Sequence, residues 1–134
     1  MGTYSAFKTN PELETKGIVI DYGDAGRFRI ARAGGANASY QKKLAALAKP
    51  IRRQIQAETI GKEKAEEIMA EAFFHTVLLG WEGVTDADGN ELPYSIQNAR
   101  TLFADLPDLL ADLVESAQKA SLFRDEVAEQ DAKN

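Results

Sequence analysis

The apolar residues of this chain change their spacing once, from a period of two to a period near 3.6, and this change limits the fold more than any other feature. Residues 17–32 alternate as two β-strands joined by the turn Gly23–Gly26. One apolar face is predicted, made of Ile18, Ile20, Tyr22, Phe28 and Ile30. Because a lone hairpin is only marginally stable in water, this face has to pack on the helices that follow.

Beyond the hairpin, the apolar spacing predicts helices at about residues 37–59, 62–79, 95–104 and 107–123. In the first helix the apolar stripe recurs every three or four residues, at Tyr40, Leu44, Leu47, Ile51 and Ile55. Pro50 interrupts this helix while the stripe continues, so we expect a kink near Lys49. Residues from about 125 to 134 are acidic and poor in apolar side chains, which predicts a disordered tail.

The predicted fold is therefore mainly α with an N-terminal β-hairpin, an α+β arrangement whose helices form a compact bundle of about four. The chain has 134 residues, 44% of them hydrophobic, which is enough to bury one core, so residues 1–134 are predicted to form a single domain. Cysteine is absent, which excludes disulfides, thiol catalysis and cysteine-ligated zinc. No apolar run reaches the roughly 18 residues that cross a bilayer, so we expect no membrane insertion.

Charge is segregated along the chain. Residues 27–53 hold eight cations and no acid, whereas residues 82–134 hold twelve acids and four cations, in a chain of net charge −5. Five of the cations fall on the polar face of the first predicted helix: Lys42, Lys43, Lys49, Arg52 and Arg53. Either the acidic half packs beside this face and neutralises it, or the face is offered to an acidic partner. Because no aromatic residues are interleaved with these cations, a solvated or protein-binding face is favoured over nucleic-acid binding.

The residue patterns predict no catalytic site, cofactor or metal ion, and the chain is not expected to be an enzyme. His75 is the single histidine, and it lies in an apolar helical stretch without an orienting acid beyond Glu71. The run Asp86–Asn90 fails as a calcium loop, because an EF-hand register would put non-carboxylate residues at both its first and twelfth positions. Gly34–Gly35 precedes a helix but lacks the phosphate-binding glycine patterns.

Seven short segments, in this order, carry a resemblance to a known family: Phe7–Thr9, Ile20–Asp24, Arg29–Asn37, Gly80–Asp86, Leu92–Ser95, Asp105–Leu109 and Leu122–Arg124. Together they resemble the tail assembly chaperones of long-tailed, siphovirus-type bacteriophages and prophages. The resemblance extends from about Phe7 to Phe123.

The resemblance implies a small, largely helical, non-catalytic protein. Such a protein would bind the tape measure protein, help the tail tube protein to polymerise, act in the host cytoplasm and be absent from the mature virion. Candidate partner-binding residues are the five cations above and the Trp81–Val84 corner with Trp81 and Glu82, although Trp81 also suits a core position. A homo-oligomer is left open. The alternatives are a permanent virion tail or connector component and a small nucleic-acid-binding regulator.

Overall fold

A computed structural model of the protein describes residues 2–125. Its helices and strands, in chain order, are α1 (Thr3–Phe7), α2 (Pro11–Lys16), β1 (Ile18–Asp21), β2 (Arg27–Ile30), α3 (Ala38–Ala48), α4 (Arg52–Gln56), α5 (Lys62–Thr76), β3 (Leu78–Glu82), α6 (Ile96–Asp105) and α7 (Pro107–Ala117). Short 3-10 turns lie at Gly23–Ala25, Lys49–Ile51 and Ala120–Phe123. None of the helices in this part of the chain has the length and apolar character needed to cross a bilayer.

The three strands form one antiparallel sheet in the order β1-β2-β3. Ile20 pairs with Phe28, and Phe28 in turn lies opposite Trp81 of β3. Side chains alternate across the sheet as predicted for the hairpin: Phe28 and Ile30 are buried, whereas Arg27 and Arg29 point to the other face. The hairpin prediction is therefore confirmed for β1 and β2.

The expected compact bundle of about four helices is wrong. Residues 78–82, predicted as the end of a helix and the corner after it, form β3 and pair with β2. The helix α5 ends at Thr76, and Gly80 lies opposite Arg29 within the sheet. The cause is that a short apolar run has no periodicity of its own, so a buried helix end and a buried strand look alike in sequence. The molecule is α+β, with a small sheet at its core.

The helices are also shorter and more numerous than predicted. The region 37–59 consists of α3, the 3-10 turn Lys49–Ile51 and α4, because Pro50 cannot continue the helical hydrogen bonding. The last predicted helix, 107–123, ends at Ala117 and gives way to the 3-10 turn. Two short helices, α1 and α2, precede the hairpin and were not predicted. The predicted tail at 125–134 lies, apart from Asp125, outside the described residues.

An aromatic cluster joins the sheet to the helices that cover it. The ring of Phe28 lies 5.9 Å from Trp81 and 6.3 Å from Phe103 of α6. Phe74 of α5 stacks on Phe103 at 5.7 Å. Because α5 and α6 meet on the sheet through these rings, α5 is held in the core, and α3 packs on α5 from outside. This placement leaves the polar face of α3 turned away from the core.

Candidate partner-binding surfaces

The five predicted cations lie together along α3 and the helix that follows it; we call them the basic surface. On α3, Tyr40 is buried, and Leu44 and Leu47 pack on the core, so this part of the apolar stripe faces inward as predicted. Lys42 therefore projects into solvent, and Lys43 is half-buried. The remaining members of the basic surface, Lys49, Arg52 and Arg53, are exposed.

The basic surface is not neutralised within residues 2–125, where none of its cations has a carboxylate oxygen within 4 Å. Three other arginines do form ion pairs: Arg27 with Glu82 at 2.8 Å, Arg32 with Glu14, and Arg100 with Glu71 at 2.7 Å. In the part of the chain that the structure describes, the acidic half therefore does not pair with this face.

Residues 49–56 form the C-terminal end of the basic surface, and we call them the arm. The helix α4 within it buries no residue and packs chiefly against the preceding 3-10 turn. Ile55, predicted to face inward, is 41% exposed. The regular helix is interrupted before it, where Ile51 has the non-helical angles φ −117° and ψ 20°. The arm thus combines an exposed apolar side chain with three unpaired cations, and residues 49–54 line an open depression.

Trp81 occupies a structural position. It is half-buried in β3, and its indole Nε1–H donates a 2.7 Å hydrogen bond to the backbone oxygen of Leu92. Its ring meets Tyr94 edge-on at a centroid distance of 5.1 Å. Because the indole is held by a hydrogen bond and by aromatic contacts, it fixes the 92–94 segment against the sheet.

Glu82 lies on the outer side of the sheet. Its carboxylate accepts a 2.8 Å hydrogen bond from Nε of Arg27, which faces it across the β2–β3 register. This contact raises the pKa of Arg27. Both side chains are largely exposed, so the ion pair adds little stability. It borders a shallow depression that is also lined by Val19, Arg29, Leu79, Gly80 and Trp81.

His75 lies in a polar cluster with Glu71 and Arg100 at the surface. Its Nε2 lies 3.6 Å from the Glu71 carboxylate, to which Arg100 donates two hydrogen bonds of 2.9 and 2.7 Å. The hydrogen bonds from Arg100 lower the pKa of Glu71. The cluster ties α5 to α6 at the surface.

The Asp86–Asn90 run is a tight turn. A carboxylate oxygen of Asp86 accepts hydrogen bonds from the backbone nitrogens of Asp88 and Asn90, both at 2.9 Å. Gly89 has a φ of +84°, a left-handed conformation that glycine adopts without strain. Among residues 2–125, no three acidic or histidine side chains are grouped to hold a metal ion.

A buried ion pair that the sequence did not reveal lies beside Gly34–Gly35. Glu14 of α2 is only 3% exposed and pairs with Arg32, while its backbone oxygen accepts a hydrogen bond from the Arg32 nitrogen. A Cβ at Gly35 would overlap the Glu14 carboxylate. The Gly34–Gly35 corner, the candidate position for a phosphate, therefore lies against a carboxylate of the chain itself. No sequence signal pointed to Glu14, because it lies in a helix that was not predicted.

Residues 35–134 of the chain match the family described as the YdaY prophage protein. The chain belongs to this family. A prophage origin, expected from the sequence, is thereby shown, whereas the family description says nothing of tail assembly. No curated protein and no solved structure matches the chain significantly.

The part that matches the YdaY prophage protein family begins in the loop before α3 and leaves out α1, α2 and the hairpin. All candidate residues of the basic surface, as well as Trp81 and Glu82, lie inside the matched part. Several contacts described above cross its boundary, among them the ion pair of Arg27 with Glu82 and the ring contact of Phe28 with Trp81. Residues before position 35 therefore pack against the part of the chain that matches the family.

Proposed function

We propose that this prophage protein is a tail assembly chaperone that binds the tape measure protein and assists polymerisation of the tail tube protein. It acts in the host cytoplasm, makes or breaks no covalent bond, and is left out of the mature virion. Two findings support the proposal: membership of a prophage protein family and the order of short segments that resemble such chaperones.

The structural observation that carries the proposal is the unpaired basic surface. Five cations have no acidic partner among residues 2–125, and three of them share the arm with exposed Ile55, in a chain whose net charge is −5. A chaperone needs apolar contact area for its client and enough charge to keep the complex in solution. The cations of α3 and of the arm supply the charge, and Ile55 of the arm supplies exposed apolar area.

A binding experiment tests the proposal. The chain is co-expressed with the tape measure protein of the same prophage, and the complex is isolated through a tag on the tape measure protein. We expect the wild-type chain to co-purify, and the double variant Lys42→Glu, Lys43→Glu to lose at least about tenfold in recovery, since reversed charges weaken association.

The matched control is the double variant Lys16→Glu, Lys119→Glu, which changes the net charge equally at two exposed lysines outside the basic surface. It should co-purify like the wild type. If the wild-type chain does not co-purify with the tape measure protein, the proposed function is wrong. If all three chains co-purify equally, the chaperone role stands and Lys42 and Lys43 are excluded from the interface.

Two alternatives are separated by other measurements. A permanent tail or connector component would be found in purified virions by mass spectrometry, whereas a chaperone would be absent. A nucleic-acid-binding regulator would show salt-dependent binding to DNA or RNA through the basic surface. The net charge of −5 and the lack of aromatic residues along α3 beyond Tyr40, which is buried, favour a protein partner.

A further inference from the structure

The arm has a counterpart elsewhere in the same molecule, where α6 meets α7. Residues 105–108 at this junction, which we call the α6–α7 corner, are all exposed. Leu106 is 47% exposed, and in the chain it follows Asp105 and precedes Asp108 by two residues. Within residues 2–125, neither carboxylate has a cation within 4 Å.

Each cluster contains a charge that does not stabilise its own helix. Asp105 is the last residue of α6, where the partial negative charge of the helix end disfavours a carboxylate. Arg52 is the first residue of α4, the end at which a cation is disfavoured, whereas Arg53 already lies in the last turn of this five-residue helix. Asp108 is placed favourably, in the first turn of α7. Asp105 and Arg52 therefore lie where their own helices gain nothing from them.

The two surfaces are complementary in charge and in apolar character. The arm carries Ile55 and three cations, and the corner carries Leu106 and two carboxylates. Among residues 2–125 the arm and the corner form no ion pair with each other within one molecule, so a contact between them would join two molecules. We propose that the arm binds the α6–α7 corner of a second copy of this chain.

The proposed contact is small and should be weak. It joins one exposed turn on each side, which is less than the area buried in stable complexes, and exposed ion pairs contribute little each. The association should therefore depend on concentration and on salt. Two such contacts made reciprocally give a closed dimer, while single contacts give an open chain of copies. This inference goes beyond the proposed function, since it involves no client.

Sedimentation velocity of the purified full chain, treated with nuclease, tests the inference. We expect the mean sedimentation coefficient to rise over about two decades of protein concentration at about 50 mM salt, and the rise to be abolished at about 500 mM salt. The triple variant Lys49→Glu, Arg52→Glu, Arg53→Glu should stay monomeric. So should the double variant Asp105→Lys, Asp108→Lys.

The decisive measurement mixes these two charge-reversed variants. Each repels itself, but in the mixture the reversed arm meets the reversed corner and the native arm meets the native corner. We therefore expect association to return, a result that damage to either fold could not produce. Asp105→Lys alone serves as a second corner variant, because Asp108 assists the first turn of α7. The control Lys8→Glu, Lys16→Glu, Lys119→Glu should associate like the wild type.

Three results would overturn the inference. The first is a monomer at every concentration at low salt. The second is association that survives both reversals, or that disappears with nuclease. The third is a mixture of the variants that stays monomeric. None of these results bears on binding of the tape measure protein, which is measured separately.

Discussion

Replacing Phe28 by alanine tests the central claim about the core, that the sheet is fastened to the helices through one aromatic cluster. Phe28 is completely buried, and its ring lies within 5.8 to 6.3 Å of Tyr22, Trp81 and Phe103. Truncating a buried phenylalanine costs about 3 to 5 kcal/mol, and the three aromatic neighbours place this site in the upper half of that range.

The measurement is urea unfolding followed by circular dichroism. We expect Phe28→Ala to lower the free energy of unfolding by about 4 kcal/mol and the Tm by roughly 15 °C, since a chain of this size loses about 3 to 4 °C per kcal/mol. A single domain is stabilised by only about 5 to 15 kcal/mol, so this variant could be largely unfolded. Phe28→Leu, which keeps most of the volume, should cost about 1 to 2 kcal/mol and remain folded.

The control is Ile55→Ala on the arm, where truncation of an exposed side chain should change the free energy of unfolding by less than about 0.5 kcal/mol. A loss below about 1 kcal/mol for Phe28→Ala, with an unchanged dependence on urea, would refute the packing described here. So would an equal loss at Ile55, since it would mean that the arm is as buried as the sheet.

Two further predictions concern contacts outside the aromatic cluster. Gly35→Ala should lower the free energy of unfolding by roughly 2 to 4 kcal/mol, because φ is +54° and the Cβ would overlap the Glu14 carboxylate. Gly80→Ala, where nothing lies within 4 Å, should be neutral, and equal effects at the two glycines would disprove the overlap. Burial raises the pKa of Tyr22, and the hydrogen bond to Asp112 raises it further. As the pH rises, the unfolded chain therefore loses the tyrosine proton before the folded protein does. The stability that this group contributes is fully present below about pH 10 and should fall above about pH 10. Between about pH 8 and pH 11, the free energy of unfolding measured with urea should fall less for Tyr22→Phe than for the wild type. An identical fall in the two proteins would contradict the raised pKa of Tyr22.

The hairpin and the inward stripe of α3 could be read from the sequence because their patterns are local. Alternation with period two identifies the buried face of β1 and β2. The third strand could not be read this way. Leu78–Glu82 becomes a strand because β2 offers it a pairing edge, which lies about fifty residues earlier in the chain.

The candidate surfaces also combine features that the sequence predicts with features that only the structure decides. The five cations of the basic surface and the polar face of α3 follow from residue spacing alone. Whether their charge is neutralised depends on which carboxylates come near, and the structure leaves them unpaired among residues 2–125. The exposure of Ile55, which the predicted stripe places inward, also depends on the packing around it.

The sequence by itself determined the alternation of the hairpin, the amphipathic face of α3 and the segregation of charge, because each is a property of neighbouring residues. Only the tertiary structure decided that residues 78–82 form a strand, that Glu14 is buried against Arg32, and that the arm stands free of the core. These features depend on pairing and burial between segments far apart in the chain. The free energy of such contacts is set by where the backbone brings the groups together, which spacing along the sequence does not encode.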